Sequence, residues 1–132
     1  MNIQISVFKA LFDNSSDAIL ICDQKGIIRE ANPAVFKIFG YLPEELKGVG
    51  IEPLIPEKFR KNHMAHVANF SSQPSARPMS PSLKLPGLRK DGREVFLSIS
   101  LTPLQEGSGD PLVIATVRDI HEIVEKTRQL EE

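Results

Sequence analysis

Two histidines are the residues best placed to do chemistry. His63 and His66 fall within Pro56 to Phe70, PEKFRKNHMAHVANF, which reads as the longest clean helix of the chain. Stepping 100° per residue from Phe59 puts Phe59, His63, His66, Val67 and Phe70 within about 100° of one another. Both imidazoles therefore share the apolar face. They can be satisfied by hydrogen bonds at the rim of a core, or they can ligate a metal. Zinc is poorly supplied, because two ligands three residues apart have no obvious third. Cys22, the single cysteine, sits in an apolar run and reads as a small strand residue, not a reactive thiol. No serine has a nucleophile-elbow context and no Gly-rich phosphate loop follows a strand. Gly48-Val49-Gly50 lacks the rest of a dinucleotide fingerprint. The carboxylates are scattered. No catalytic constellation emerges, and an enzyme is not expected.

Composition narrows the class. The 132 residues suit one domain with its own core. Sixteen basic and 17 acidic residues leave a formal charge of −1, which gives no electrostatic reason to expect nucleic acid or an anionic membrane as partner. No apolar run approaches the length of about 18 residues that spans a bilayer. There is no signal-peptide pattern, and a lone cysteine forms no internal disulfide. A cytoplasmic setting is expected.

The elements that would position these residues follow in order. Met1 to Phe12 places Ile3, Val7, Ala10 and Leu11 near helical spacing, a cap over a sheet or a dimer contact. Asp17 to Gly40, DAILICDQKGIIREANPAVFKIFG, reads as two short strands about a polar turn, then a helix. Asn32 is expected to cap that helix, and Gly40 to end it. Val35, Phe36 and Phe39 fall on one side, with Ile38 at the edge. Pro43 opens a short helix that lacks a side-chain cap at Leu42. Ser71 to Pro81 reads as a loop. Leu83 to Arg89 is a strand interrupted by Pro86, where a bulge or an unpaired site is expected. Lys90-Asp91-Gly92-Arg93 is a hairpin turn. Glu94 to Leu104 alternates cleanly, with Val95, Leu97, Ile99 and Leu101 on one face. Leu112 to Arg118 is the last strand. The expected core is Phe36, Phe39, Ile19, Ile21, Val95, Leu97 and Ile99. Asp119 can cap a further helix, with Glu122 at capping-box spacing. Ile120, Ile123, Thr127 and Leu130 then begin a heptad seam.

The string D-A-I-L-I-C-D-x-x-G-x-I-x-x-A-N-P-A-x-x-x-x-F-G-Y-x-x-E-E-L-x-G resembles the opening of a PAS domain, the sensory-box module of signalling proteins. The resemblance runs over roughly residues 6 to 119. Arg118-Asp119-Ile120-His121-Glu122 is similar to the Asp-Ile-Thr-Glu signature that closes such domains, with His121 in the Thr place. It implies an α+β fold, a five-stranded antiparallel sheet with helices packed on one face. The expected divisions are an N-terminal cap helix at 1–14, the PAS domain at 15–119 and the start of a C-terminal signalling helix at 120–132.

The resemblance also implies a role. The chain is expected to be a sensory and dimerisation module of a bacterial sensor histidine kinase, diguanylate cyclase or transcription regulator. It would relay ligand or interface changes to a downstream effector. A homodimer is expected, with Ile3, Val7, Asp119, Ile120, Ile123 and Leu130 at the interface or in signalling. An alternative is a haem-binding gas or redox sensor. In that resemblance His63 matches the axial ligand, and Phe59, His66, Phe70, Leu83, Leu97 and Ile99 line the pocket. Leu83 stands where those sensors carry a ligand-contacting Arg. Flavin chemistry would need a Cys on a central helix, whereas Cys22 is on the first strand. Whether a ligand exists, and which, stays open.

Overall fold

The computed structural model describes residues 3–60, 77–78, 85–105 and 107–131, with backbone alone at 77–78 and 128–131. Its elements are α1 (Ile3–Asn14), β1 (Ala18–Asp23), β2 (Ile28–Ala31), α2 (Ala34–Phe39), α3 (Pro43–Leu46), 3₁₀ turns at Glu52–Leu54 and Glu57–Phe59, β3 (Arg77–Pro78), β4 (Leu85–Leu88), β5 (Glu94–Leu104), β6 (Leu112–Asp119) and α4 (His121–Glu131). Every strand pairing is antiparallel. The order is β2-β1-β6-β5, and β3 and β4 lie end to end along the outer edge of β5. The sheet is therefore five lanes wide, the α+β architecture expected. The short β3 is a correction: part of the expected loop 71–81 pairs with Leu101 and Ser100.

The β1–β2 turn shows why the first hairpin forms. Asp23 Oδ1 accepts the Lys25 and Ile27 N–H groups at 2.9 Å each, and Gly26 takes φ +81°, which only glycine adopts freely. Arg29 pairs with Asp23 Oδ2 at 3.0 Å. Burial alone would raise the Asp23 carboxyl, but the two backbone donors and the Arg29 guanidinium outweigh it and hold it below the usual carboxylate range.

The core gathers Ala18, Leu20 and Cys22 from β1, Ile28 and Ala31 from β2, Val35, Ile38 and Phe39 from α2, and Leu46, Leu54, Val95, Leu97 and Val117. This inverts the expected face of β1. Ile19 is half-buried, and Ile21 is buried outside this cluster. Every residue from Ala18 to Cys22 is apolar, so period-2 patterning could not choose a face. On α2, Phe39 is 2% exposed and Phe36 is 53% exposed. Val35, Ile38 and Phe39 occupy an arc of about 100°, and Phe36 falls outside it.

Two further expectations, at Asn32 and Pro86, are corrected. Asn32 does not cap α2, whose first turn has no side-chain cap. Its fully buried amide instead accepts the Ile19 N–H at 2.8 Å and donates to the carbonyls of Phe12 and Asp17 at 3.0 Å each. It ties the end of α1 to the start of β1. Pro86 makes no bulge; it pairs in register with Phe96. The Phe96 carbonyl accepts the Ile120 N–H at 2.9 Å, on the side away from β4. Pro86 thus faces a position where the two strands exchange no hydrogen bond, and its missing donor costs nothing there. As expected, Leu42 gives α3 no side-chain cap; its turn is fixed from the other end, where Glu45 Oε1 accepts the Leu42 N–H at 2.8 Å. The expected N-terminal helix α1 is present, and none of its residues is buried among the described residues.

Candidate functional site

Two places in the fold hold the residues singled out above. The first is the inner face of the sheet. Leu97 is buried there, Ile99 packs against the core, and both lie on the face of β5 that meets the helices. Phe59 is half-buried and ends the second 3₁₀ turn, with Lys58 Nζ 5.1 Å from its ring centre. Arg60 Nε donates to the carbonyls of Glu52 and Ile55 at 3.0 Å each, closing the preceding turn. His63, His66, Phe70 and Leu83 lie outside the described residues, as does most of the helix expected from Pro56 to Phe70. Among the described residues no group of three or more His, Cys, Asp or Glu could hold a metal ion. Cys22 is buried in this core, and burial, then the Asp23 charge, push its thiol up to about 12. A thiol in that state is not a nucleophile.

The second place is where the chain leaves the sheet. β6 ends at Asp119 and α4 begins at His121. Asp119 Oδ1 accepts the His121 N–H at 2.9 Å, so the expected cap is present. Glu122 does not complete a box; it pairs with Lys126 one turn on, at 3.3 Å. Ile120 is half-buried, Ile123 is 62% exposed, and Val124 is the buried residue among the described side chains of this helix, at 8%. Leu130 lies in α4, its side chain outside the described set. Sequence reasoning missed Val124, because a short seam of Ile120, Ile123 and Leu130 looks equally regular. It also missed the ring of His121, which stacks on Phe96 with centroids 5.4 Å apart and an 18° interplanar angle.

The start of β1 and the end of β6 meet here. Ala18 pairs with Val117, and Arg118 grips the Asp17 carboxylate through Nε and Nη2 at 3.2 Å each. Ile3 and Val7, the residues expected at an interface, are both more than half exposed on α1.

A surface depression of about 460 Å³ lies between Phe36, Lys37, Gly40, Arg89, Lys90 and Asp91, none of them expected site residues. Three of its four charged residues, Arg89, Lys90 and Asp91, are already committed. Arg89 Nη1 donates to the Lys37 and Ile38 carbonyls at 3.0 and 2.7 Å. Lys90 Nζ meets Glu45 at 2.6 Å, and Arg93 holds Asp91 at 2.9 Å. This cluster clamps the β4–β5 hairpin to the C-terminus of α2.

Comparison with known proteins decides the family. The PAS domain model matches residues 16–122. The chain belongs to the PAS domain family. Among curated relatives, the sensor protein FixL of Bradyrhizobium diazoefficiens is 25% identical over 94% of this chain. The oxygen sensor protein DosP of Escherichia coli is 32% identical over 93% of it. The matched segments make up 24% of FixL and 16% of DosP, so this PAS domain corresponds to a part of each. Among solved structures, a PAS domain from Colwellia psychrerythraea superposes with TM-score 0.77 at 20% identity, covering 90% of this chain and 98% of that one. The PAS domain of an HTR-like protein from Haloarcula marismortui gives 0.73 at 26% identity, over 89% and 92%. This PAS domain is a signalling sensory module of the kind found in sensor proteins. Among the described residues, no helix is long and apolar enough to cross a membrane.

Proposed function

We propose that this PAS domain senses a ligand or an interface change and relays it to a downstream effector through α4. The parent protein would be a cytoplasmic bacterial sensor histidine kinase, diguanylate cyclase or transcription regulator. The module is regulatory; catalysis belongs to the effector. Residues 1–14, 15–119 and 120–132 then act as an N-terminal cap helix, the sensory domain and the start of the signalling helix. The observation that carries this reading is the junction at Asp119: a single residue separates the last strand from α4, and the Asp119 carboxylate caps the helix directly. A shift of the sheet reaches the helix without a flexible linker. The exposed apolar residues of α1 and Ile123 suit a parallel homodimer. The test joins α4 to a histidine-kinase core with insertions of one to seven residues. Kinase output should rise and fall with the helical period. A flat response across all seven lengths would reject signalling through α4.

A second reading is favoured by one comparison, the relative named an oxygen sensor. In it, His63 ligates haem iron, with Phe59, His66, Phe70, Leu83, Leu97 and Ile99 about it. Haemin titration separates the readings. The first expects no stoichiometric Soret band. A one-to-one complex that His63→Ala abolishes establishes the second.

A further inference from the structure

The first turn of α4 makes two contacts with Phe96 of β5. The Phe96 carbonyl accepts the Ile120 N–H at 2.9 Å, and its ring carries the His121 imidazole. Nδ1 of that imidazole is buried with no hydrogen-bond partner, and Nε2 is 3.9 Å from Glu125 Oε1, on the next turn of the same helix. The ring is thus held to the sheet by stacking and not by a hydrogen bond.

We infer that the Phe96–His121 stack is the positioning contact that fixes the rotation of α4 on the sheet. The inference rests on reading α4 as the output helix. Two observations favour it. Ile123 and Val124 are adjacent, one 62% exposed and the other 8%, so a turn of about 100° would exchange the apolar residue offered outward for the one held inward. The stack lies just before them and sets which is which. On its other side, Phe96 faces Pro86 across β4 and β5 in a pair without hydrogen bonds. Such pairs bring their side chains closest together. A displacement of β4 therefore arrives at the residue that holds α4. His121 and Phe96 act here through packing; neither touches a ligand.

The test is amide hydrogen exchange by NMR on the 132-residue chain, with His121→Ala and His121→Phe. In His121→Ala, exchange at Val124, Glu125 and Lys126 should rise about 2- to 10-fold, the worth of one aromatic pair. The amides of β1 and β6 and the melting temperature should hold, because the stack lies outside the main core. His121→Phe keeps the ring and should restore protection in α4. Ala is the better helix former, so a loss of protection cannot come from propensity. Unchanged α4 amides in His121→Ala overturn the inference. So does His121→Phe exchanging as fast as His121→Ala, since the ring would then not be what holds the helix. A flat response in the kinase-fusion series, with the exchange pattern as expected, rejects the output reading and leaves the stack standing.

Discussion

The inner face of the sheet and the two terminal helices carry the same sequence signal and have opposite fates. α2 and α1 both present apolar residues at helical spacing. In α2 these are buried: Val35, Ile38 and Phe39 sit among Leu20, Leu97 and Val117. In α1, Ile3, Ile5, Val7, Phe8 and Leu11 are each at least half exposed. Spacing reports that a helix has an apolar side; it does not report whether that side has a partner in the same chain. The difference comes from topology. Among the described residues, the core on the inner face is built by α2, α3 and the first 3₁₀ turn, and no residue of α1 is buried in it. What remains exposed is available to something outside the domain.

The sharpest test sets two phenylalanines of α2 against each other. Phe39→Ala should lower stability by about 3–5 kcal/mol, as for a fully buried aromatic side chain. Phe36→Ala, on the exposed side, should change it by about 0.5 kcal/mol or less. Urea unfolding of both variants reads the difference. Equal losses would mean that the two faces of α2 have been assigned wrongly.

Asn32 is where the two regions join, and it should rank next. Asn32→Ala leaves the Ile19 N–H and the carbonyls of Phe12 and Asp17 without their partner. A loss of about 2–3 kcal/mol is expected, the cost of unsatisfied buried polar groups. Amide exchange at Ile19 should accelerate with it. Protection at Ile19 equal to the wild type would show that the tie is dispensable.

Cys22 sharpens the inner side of the comparison through pH. Its thiol in the folded state is raised to about 12, against about 8.5 in an unfolded chain. The folded state therefore holds this proton more tightly. The stabilisation is fully present below about pH 8.5 and is lost as pH rises toward the folded value. Against the wild type, Cys22→Ala should show a flatter fall of stability between about pH 9 and 11. Iodoacetamide at pH 8 should leave the native thiol intact and modify it in urea. Rapid modification of the folded protein would place Cys22 outside the core.

Much of the fold was legible because turns and alternation are local. The Asp-Gly hairpin at Lys90–Arg93, the alternation of β5 and the end of α2 at Gly40 were all read from neighbours in sequence. Misreadings came where the deciding contact is distant. Ile19 to Ile21 could face either way until β6 fixed the register. Asn32 looked like a cap because caps are local, but its partners at Phe12, Asp17 and Ile19 lie 13 to 20 positions away. Pro86 looked like a break because its harmless orientation depends on Phe96 and Ile120. At the exit, Asp119 was found from its spacing to the helix. Val124 and the His121 ring were not, since the burial of one and the stacking of the other on Phe96 are tertiary contacts. Leu97 and Ile99 do line the inner face, while four of the other expected pocket residues lie beyond what is described.

The smallest effect on stability, and the most direct test of the exposed side, belongs to the terminal helices. Phe8→Glu and Ile123→Glu place charges on surfaces that are already open, so each should change unfolding free energy by about 0.5 kcal/mol or less. If a second copy covers these faces, the same charges are buried without a partner in the dimer, which association cannot tolerate. The two measurements therefore separate. Sedimentation across a concentration series should show a reversible dimer for the full chain. Phe8→Glu and Ile123→Glu should shift it toward monomer while melting at low concentration stays the same; a chain ending at Arg118 should also be monomeric, but less stable because it loses the buried Val124. Val124→Ala provides the contrast on the same helix: it should cost stability and leave association largely intact, because its side chain already has a partner within the domain. A wild-type chain that stays monomeric at high concentration would mean that the exposed apolar faces of α1 and α4 await a different partner, and that the homodimer is not how this module is assembled.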